Sequence, residues 1–406
     1  MPSVTWTTSL KVNVERCLRR DTLGRFHMQT RIVASMDEFP RAQWNALLPD
    51  NNPFIRHEFL AALEHGDCLL PYGWVPQHVG VWDGERLVAA MPMYLKNNTY
   101  GEFVFDFSWA QAYERHGLRY FPKLVVSAPY SPATGTRLLV SDPTYINNLL
   151  DAARNHARQI DASSLHILFP TEPEMCQLEA HGTLRRAGCQ FHWTNNGYRD
   201  FADYLSTFTA EKRKKLKRER RYVQEAGVEL EVVHGGDAND AQWEAYHRFY
   251  VSTFDRLGGM PTLSMDFFRE LGAVLPDQVV LVLAKHQGRY VAGAFCLRSA
   301  DTLYGRHWGC DAQFHSLHFE ACYYQGIEYC IRHGLKRFEP GAQGEHKVGR
   351  GFVPTLTWSA HWLANPTFAN AIGDFVRRER TAVEHYMQEL NTHLPFNQDH
   401  AISINI

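Results

Sequence analysis

Two stretches of the chain share the pattern of a β-hairpin, in which apolar runs rich in valine flank a short polar turn that contains glycine. The turns contain Gly84 and Gly288, and the second apolar runs begin at Arg86 and Arg289. Such runs around a glycine turn predict hairpins. Arg86 superposes on Arg289 at an offset of 203 residues (289 − 86), which is half the chain.

The elements around the hairpins also repeat. Apolar residues at helical spacing follow each hairpin, over 145–160 and over 322–331, and a short strand follows each helix. This order predicts an α/β (α+β) protein with two similar domains, 28–195 and 196–406, although hairpins of this composition also recur by chance. Residues 1–27 are predicted to form a poorly ordered N-terminal extension and not a secretory signal.

Two further segments carry clear patterns. Residues 100–109 alternate aromatic and polar side chains, which predicts a strand with Glu102 and Asp106 on one face. Over 367–390, apolar residues recur at helical spacing and predict an amphipathic helix that covers the second domain.

Composition is that of a globular protein with two ordinary cores. The chain has 406 residues, 45% hydrophobic and 21% charged, with a formal net charge of −2. A polyanion must therefore bind to a local basic patch. The eight cysteines form no zinc-type pair and are expected to be reduced thiols. Because the longest purely apolar run, 279–284, is far shorter than a membrane span, we expect a cytoplasmic protein without one.

Several strings along the chain resemble the motifs of one family. They are Tyr100-Gly101-Glu102-Phe103-Val104-Phe105-Asp106, Phe319-Glu320-Ala321-Cys322-Tyr323-Tyr324-Gln325, Glu339-Pro340-Gly341-Ala342-Gln343-Gly344-Glu345-His346-Lys347, Arg350-Gly351-Phe352 and Ser359-Ala360-His361-Trp362. With them, residues 28–390 resemble the FemAB-like family, and the order of elements is similar to that of the GNAT acyltransferase superfamily. The resemblance implies tandem duplicated GNAT-like acyltransferase domains and the transfer of an acyl or aminoacyl group.

The acyl donor is constrained by a loop that the sequence lacks. GNAT enzymes that use acetyl-CoA hold its pyrophosphate with a glycine-rich loop, but residues 311–318 contain no glycine. The Fem branch also lacks this loop, because its donor is an aminoacyl ester of tRNA. We expect no tightly bound cofactor, and either aminoacyl-tRNA or acyl-CoA as co-substrate. The irregular spacing of His307, His315 and His318 does not predict a metal site.

The segment 339–351 shows no periodicity and is predicted to be a loop. It is the best candidate for a catalytic site, because it combines four glycines with many ionisable side chains. Amide formation needs a base for the amine proton and donors for the oxyanion. Glu345 or His346 is the candidate base, and Lys347 or Arg350 can steady an oxyanion or a phosphate. The alternative is a connector whose charges are solvated. Three other residues of the segment are candidate substrate ligands: Glu339, Gln343 and Arg350.

The carboxylates of Glu102 and Asp106, with Trp109 beside them, are candidate ligands for a cationic amine acceptor. The alternative is an ordinary amphipathic strand whose polar face is wet. If both candidate sites function together, Glu345 and its neighbours should meet Glu102 or Asp106 in a cleft between the domains.

A basic helix is predicted over 210–226, with Thr209 as its cap and Gly227 at its end. Its eight cations repel one another, so a polyanion such as tRNA would relieve that repulsion. The alternative is a solvated face over an inward seam of Leu216 and Val223. The candidate polyanion ligands are Lys212, Arg213, Lys214, Lys217, Arg218 and Arg221.

Three functions remain open at this point. The first is a Fem-like transferase that forms an amide on a small-molecule or peptide amine, with aminoacyl-tRNA as donor. The second is an acyl-CoA-dependent N-acyltransferase with the same fold. The third is a non-catalytic tandem module that binds RNA or a protein partner. The sequence does not determine the oligomeric state.

Overall fold

The computed structural model describes residues 28–397, so the prediction for residues 1–27 lies outside the described part. The strands of the first half are β1 (Met28–Val33), β2 (Trp74–Pro76), β3 (His78–Asp83), β4 (Arg86–Met91), β5 (Met93–Lys96), β6 (Lys123–Val126), β7 (Leu139–Val140), β8 (Ser164–Leu168) and β9 (Leu184–Thr194). Its helices are α1 (Arg41–Ala46), α2 (His57–His65), α3 (Phe107–Arg115), α4 (Ile146–Gln159) and α5 (Glu172–Ala180).

The second half adds six strands and seven α-helices within the described residues. The strands are β10 (Val228–His234), β11 (Val279–His286), β12 (Arg289–Arg298), β13 (Thr302–Cys310), β14 (Arg337–Glu339) and β15 (Val353–Leu363). The helices are α6 (Phe201–Ser206), α7 (Ala210–Glu225), α8 (Asp240–Leu257), α9 (Met265–Val274), α10 (Leu317–Phe319), α11 (Gln325–His333) and α12 (Pro366–Asn391). A π-helical turn, Glu320–Tyr324, joins α10 to α11.

One long sheet runs through both halves in the order β10-β11-β12-β13-β14-β9-β15-β8-β6-β5-β2, and β1-β3-β4-β7 form a second sheet. The order of paired strands repeats between the two halves. β1 corresponds to β10 and β3 to β11, β4 and β5 together correspond to β12, and β6 and β8 correspond to β13 and β14. The last strand of each half pairs with a strand of the other half: β9 pairs with β14, and β15 pairs with β8. The tandem duplicated α/β fold is therefore confirmed, while the boundary near residue 195 stays a prediction.

Both hairpins form where the sequence predicts them. Asp83 pairs with Arg86 and His286 pairs with Arg289, which closes the two turns at the expected residues. The first turn contains Gly84 at a φ of +63°, a left-handed conformation that glycine adopts without strain. Helices α4 and α11 and strands β8 and β14 follow as predicted.

Two local predictions are wrong. Residues 100–109 do not form a strand, because Gly101 and Phe103 have φ angles of +78° and +59° that break the extended backbone, and α3 begins at Phe107. The segment 339–351 is not loop throughout, since Glu345–Arg350 forms a short 3₁₀ helix.

The two halves meet through aromatic side chains on equivalent helices. Phe59 on α2 and Phe267 on α9 lie 5.9 Å apart between ring centroids, edge to face. Phe54 packs in the same way on Tyr304 of β13 at 5.1 Å. A single hydrophobic core therefore contains residues of both halves.

Helix α12 confirms the predicted C-terminal amphipathic helix but covers more than the second domain. Ile372 and Val376 are buried against Trp109 and Tyr113 of α3, which belongs to the first half. The helix also packs on β9 and β15. Within residues 28–397, no helix is long and apolar enough to cross a membrane.

Candidate functional site

The candidate site lies where β13 and β14 diverge. The two strands pair in parallel over three residues each. β14 then ends at Glu339, and Gly341, with a φ of +95°, turns the chain away, whereas β13 continues to Cys310. A cavity of about 140 Å³ occupies the resulting wedge. A narrower cavity beside it shares Gly305 and Arg306 as lining residues.

Arg306 carries the positive charge of this wedge. It lies at a bulge in β13, because Phe295 pairs with His307 and the next residue of β12 pairs with Gly305. Its guanidinium carbon lies 5.7 Å from the ring centroid of Phe54, a residue of the first half. Across the described residues, the guanidinium group makes no hydrogen bond and no ion pair. Burial lowers the pKa of Arg306 to about 10, so the group is still charged at neutral pH.

Glu339 is the acidic group that faces the same narrow cavity. Its side chain is 4% exposed, and its Oε2 accepts one hydrogen bond, from the Thr134 backbone N–H at 3.3 Å. Burial raises the pKa of Glu339 to about 7, although Arg337 and the Thr134 N–H oppose the change. A carboxyl of this kind exchanges a proton near neutral pH.

Tyr323 and His318 line the larger cavity of the wedge. Burial lowers the pKa of His318 to about 4, so its imidazole is neutral at physiological pH. The Tyr323 hydroxyl is hydrogen-bonded to His346 Nε2 at 2.8 Å. His346, a predicted catalytic residue, is therefore one hydrogen bond away from the cavity. Within residues 28–397, no group of three or more His, Cys, Asp or Glu side chains is arranged to hold a metal ion.

Lys347 and Glu345, the other two predicted catalytic residues, point in different directions. Lys347 is buried, and its Nζ donates to the Gly341 carbonyl at 2.7 Å. Burial lowers the pKa of Lys347 to about 8. Glu345 is exposed and accepts a hydrogen bond of 2.7 Å from the Tyr386 hydroxyl on α12. The structure therefore does not bring the three predicted residues to one point, and the role of Glu345 as a base stays a prediction.

Arg350, predicted as a substrate ligand, binds other residues of the chain through its guanidinium group. Its guanidinium binds both carboxylate oxygens of Glu219 at 2.9 and 3.0 Å and the Tyr324 hydroxyl at 3.1 Å. The same group stacks on Phe319 at 3.4 Å. These contacts attach α7 to the segment that follows β14.

A larger cleft of about 280 Å³ lies between the two halves. Gln343 lines it from the second half and Phe103–Phe105 line it from the first. Gln190 on β9 lines both this cleft and the narrow cavity of Glu339, which places the two spaces next to each other. The cleft therefore adjoins the narrow cavity of the wedge, and Gln343 lies on the wall of the cleft.

Glu102 and Asp106 do bind an ammonium group, but it belongs to Lys123. Lys123 Nζ donates to Glu102 Oε2 at 2.7 Å and to Asp106 Oδ2 at 2.6 Å, and all three side chains are buried. Trp109 is buried as well, with its ring 4.8 Å from that of His361. The strand face that suggested an acceptor site is absent, because the residues lie on a turn and the start of α3.

Helix α7 forms as predicted and leaves a cationic surface. Leu216 and Val223 are buried, Glu219 forms an ion pair with Arg350, and Arg220 forms ion pairs with Glu320 and Glu328. Of the six candidate polyanion ligands, four are exposed and two are half-buried. The exposed ligands are Lys214, Lys217, Arg218 and Arg221, and the half-buried ones are Lys212 and Arg213.

Arg306 was not among the residues predicted from the sequence. Its signal is an arginine beside a glycine, at residues 305–306, within an otherwise apolar and aromatic strand. Glycine in a strand often marks a bulge, and bulges often re-aim a side chain next to a functional site.

The comparisons with known proteins agree with this fold. The sequence profile of the FemAB-like family, described as peptidoglycan biosynthesis/recognition, matches residues 35–398. A crystal structure of FemX covers 82% of this chain and 98% of its own, at 12% identity and a TM-score of 0.51. The C-terminal domain of a putative lysylphosphatidylglycerol synthetase from Agrobacterium fabrum covers 83% and 96%, also at 12% identity and 0.51. A tandem GNAT protein from the clavulanic acid pathway covers 84% and 99%, at 14% identity and 0.43. Among curated proteins there is no match.

Proposed function

This chain belongs to the FemAB-like family, and from that premise we propose that it is a transferase that joins an acyl or aminoacyl group to an amine. One observation carries the proposal: Glu339 and the guanidinium of Arg306, which has no hydrogen-bond or ion-pair partner among the described residues, face one cavity at the wedge between β13 and β14. A carboxyl with a pKa of about 7 is suited to general base catalysis at neutral pH.

In the proposed reaction, the amine enters through the cleft between the halves and attacks the carbonyl carbon of an acyl ester held in the wedge. Glu339 accepts a proton from the attacking nitrogen as the C–N bond forms. It returns that proton to the leaving oxygen as the C–O bond of the ester breaks. The Tyr323 hydroxyl lines the wedge and is our candidate hydrogen-bond donor to the oxyanion.

We favour aminoacyl-tRNA as the donor, because the exposed cations of α7 suit a phosphate backbone. The lack of glycine in 311–318 argues against a pyrophosphate cradle of the acetyl-CoA type. The family description supports an acceptor amine on a peptidoglycan precursor.

Donor and acceptor are tested by incubating the purified chain with a radiolabelled aminoacyl-tRNA pool or acetyl-CoA and a peptidoglycan-precursor peptide. We expect label to pass from tRNA to the peptide as an alkali-stable amide, and Glu339→Gln to slow that transfer by about two to four orders of magnitude. Transfer from acetyl-CoA alone would refute the choice of donor. Binding of tRNA without transfer from either donor would instead support a non-catalytic RNA-binding module.

A further inference from the structure

We propose that Arg306 binds a carboxylate group of the substrate and thereby determines which substrates the wedge accepts. That the ligand is a substrate rests on the function proposed above, whereas the binding itself does not require transfer. The proposal concerns a residue in contact with three adjoining cavities, since the space lined by Phe54, Phe59 and Phe267 also includes Arg306.

The first argument is the contrast between Arg306, which is half-buried, and two buried arginines of the described residues. Arg137 is fully buried, and its guanidinium donates to four backbone carbonyls, at 2.6 to 3.2 Å. Arg350 is buried and binds Glu219. Buried charges are normally paired in this way, because an unpaired one loses its hydration without compensation. Arg306 has only ring contacts, with Phe54 and Phe103, which leaves its donors available to a ligand.

The second argument is the local backbone. Arg306 is the extra residue of a bulge between β12 and β13, so it is left out of the regular ladder. A bulge bends its strand and re-aims the side chain, and bulges are frequent next to active sites. Here the side chain lines the cavities of the wedge instead of packing in the core.

The charge of the site indicates a carboxylate in preference to a phosphate group. Arg306 is the one lysine or arginine among the residues that line the three adjoining cavities. Burial keeps His307 and His318 neutral at physiological pH, with pKa values of about 3 and 4. A single guanidinium with the Glu339 carboxyl beside it can balance at most one negative charge of a ligand, and it matches a planar carboxylate through two parallel hydrogen bonds. A phosphate monoester carries up to two charges and would be left partly uncompensated.

The test is a calorimetric titration of the full chain with butyrate, with its neutral amide butyramide, and with inorganic phosphate. We expect butyrate to bind at least about tenfold more tightly than either of the other two. Arg306→Met should remove this preference, and Arg306→Lys should weaken butyrate binding less than Arg306→Met does. Arg289→Met, at an exposed arginine at the start of β12, is the matched control and should bind butyrate like the wild type.

Several results would overturn the proposal. Equal binding of butyrate and butyramide would do so, as would tighter binding of phosphate than of butyrate. Melting curves without ligand give an independent check, because removal of an unpaired enclosed charge should not lower the melting temperature. A clearly lower melting temperature for Arg306→Met would make Arg306 a structural residue and also overturn the proposal.

The transfer assay then locates the carboxylate on the donor or on the acceptor. Loss of a preference for glutamyl-tRNA over glutaminyl-tRNA in Arg306→Met would assign it to the donor. Loss of a preference for a free acid over an amide in the acceptor peptide would assign it to the acceptor. If the chain transfers nothing but binds butyrate through Arg306, the proposed function fails while this inference stands. If the chain transfers normally and Arg306→Met changes no substrate preference, the proposed function stands and this inference fails.

Discussion

Exchange of Glu339 for glutamine should stabilise the protein at alkaline pH and much less so at acidic pH. The carboxyl is 4% exposed and has one hydrogen-bond donor, the Thr134 N–H, which the amide oxygen of glutamine can retain. Burial raises the pKa of Glu339 from 4.5 to about 7. This difference corresponds to a preference of the folded state for the neutral carboxyl of about 3 kcal/mol.

The sign follows from proton binding. Between pH 4.5 and about 7 the folded state keeps a proton on Glu339 that the unfolded chain has released. Wild-type stability therefore falls as the pH rises through this window, and it levels off above it. Glutamine has no proton to lose, so the stability of the Glu339→Gln variant relative to the wild type should increase by about 2 to 3 kcal/mol between about pH 5 and about pH 8.5.

Urea denaturation of both proteins at the two pH values measures this difference, and the comparison cancels the titration of all other groups. Glu345→Gln, at an exposed carboxylate nearby, supplies the baseline for replacing a carboxylate with an amide. A free energy difference between wild type and Glu339→Gln that is the same at both pH values would refute the account of Glu339 as a destabilised carboxylate.

Three other predictions follow from the contacts of the site. Charge reversal of Lys214, Lys217 and Arg221 on α7 should weaken tRNA binding and flatten its dependence on salt. Unchanged affinity across salt concentrations would indicate that the exposed cations of α7 are only solvated. Arg350→Met should cost about 3 to 5 kcal/mol of stability in urea denaturation, because it leaves Glu219 buried without its partner, and a cost below about 1 kcal/mol would contradict the anchoring role. Glu345→Gln should fold normally and keep turnover within about threefold, whereas a loss of about a hundredfold or more would restore Glu345 as the base.

The repeated fold could be predicted from local patterns, because hairpin turns and helical periodicity are properties of short segments. The turns at Gly84 and Gly288 and the C-terminal helix are examples. The exchange of β9 and β15 between the halves could not be predicted, because the residues of a strand do not determine which distant strand it pairs with. Residues 100–109 were wrongly predicted to form a strand. Aromatic and polar residues alternate there, but residues such as Gly101 have a left-handed backbone conformation that breaks a strand.

The site was predicted only in part. Segment 339–351 does border the wedge, and Glu339 and Gln343 line cavities, so the glycine-rich pattern indicated the region in which we place the candidate site. The sequence could not show that Glu345 points outward while Glu339 faces the cavity. That distinction depends on where β14 ends and on which space the neighbouring strand leaves open.

The most direct test of the central claim is the pH dependence of the transfer rate. If Glu339 is the general base, kcat/KM for wild type should rise with pH and level off above about 7, where its carboxyl is ionised. Glu339→Gln should lower turnover by about two to four orders of magnitude and remove this acidic limb. Full activity in Glu339→Gln, or an acidic limb that persists unchanged in the variant, would show that another group accepts the proton and would contradict the account.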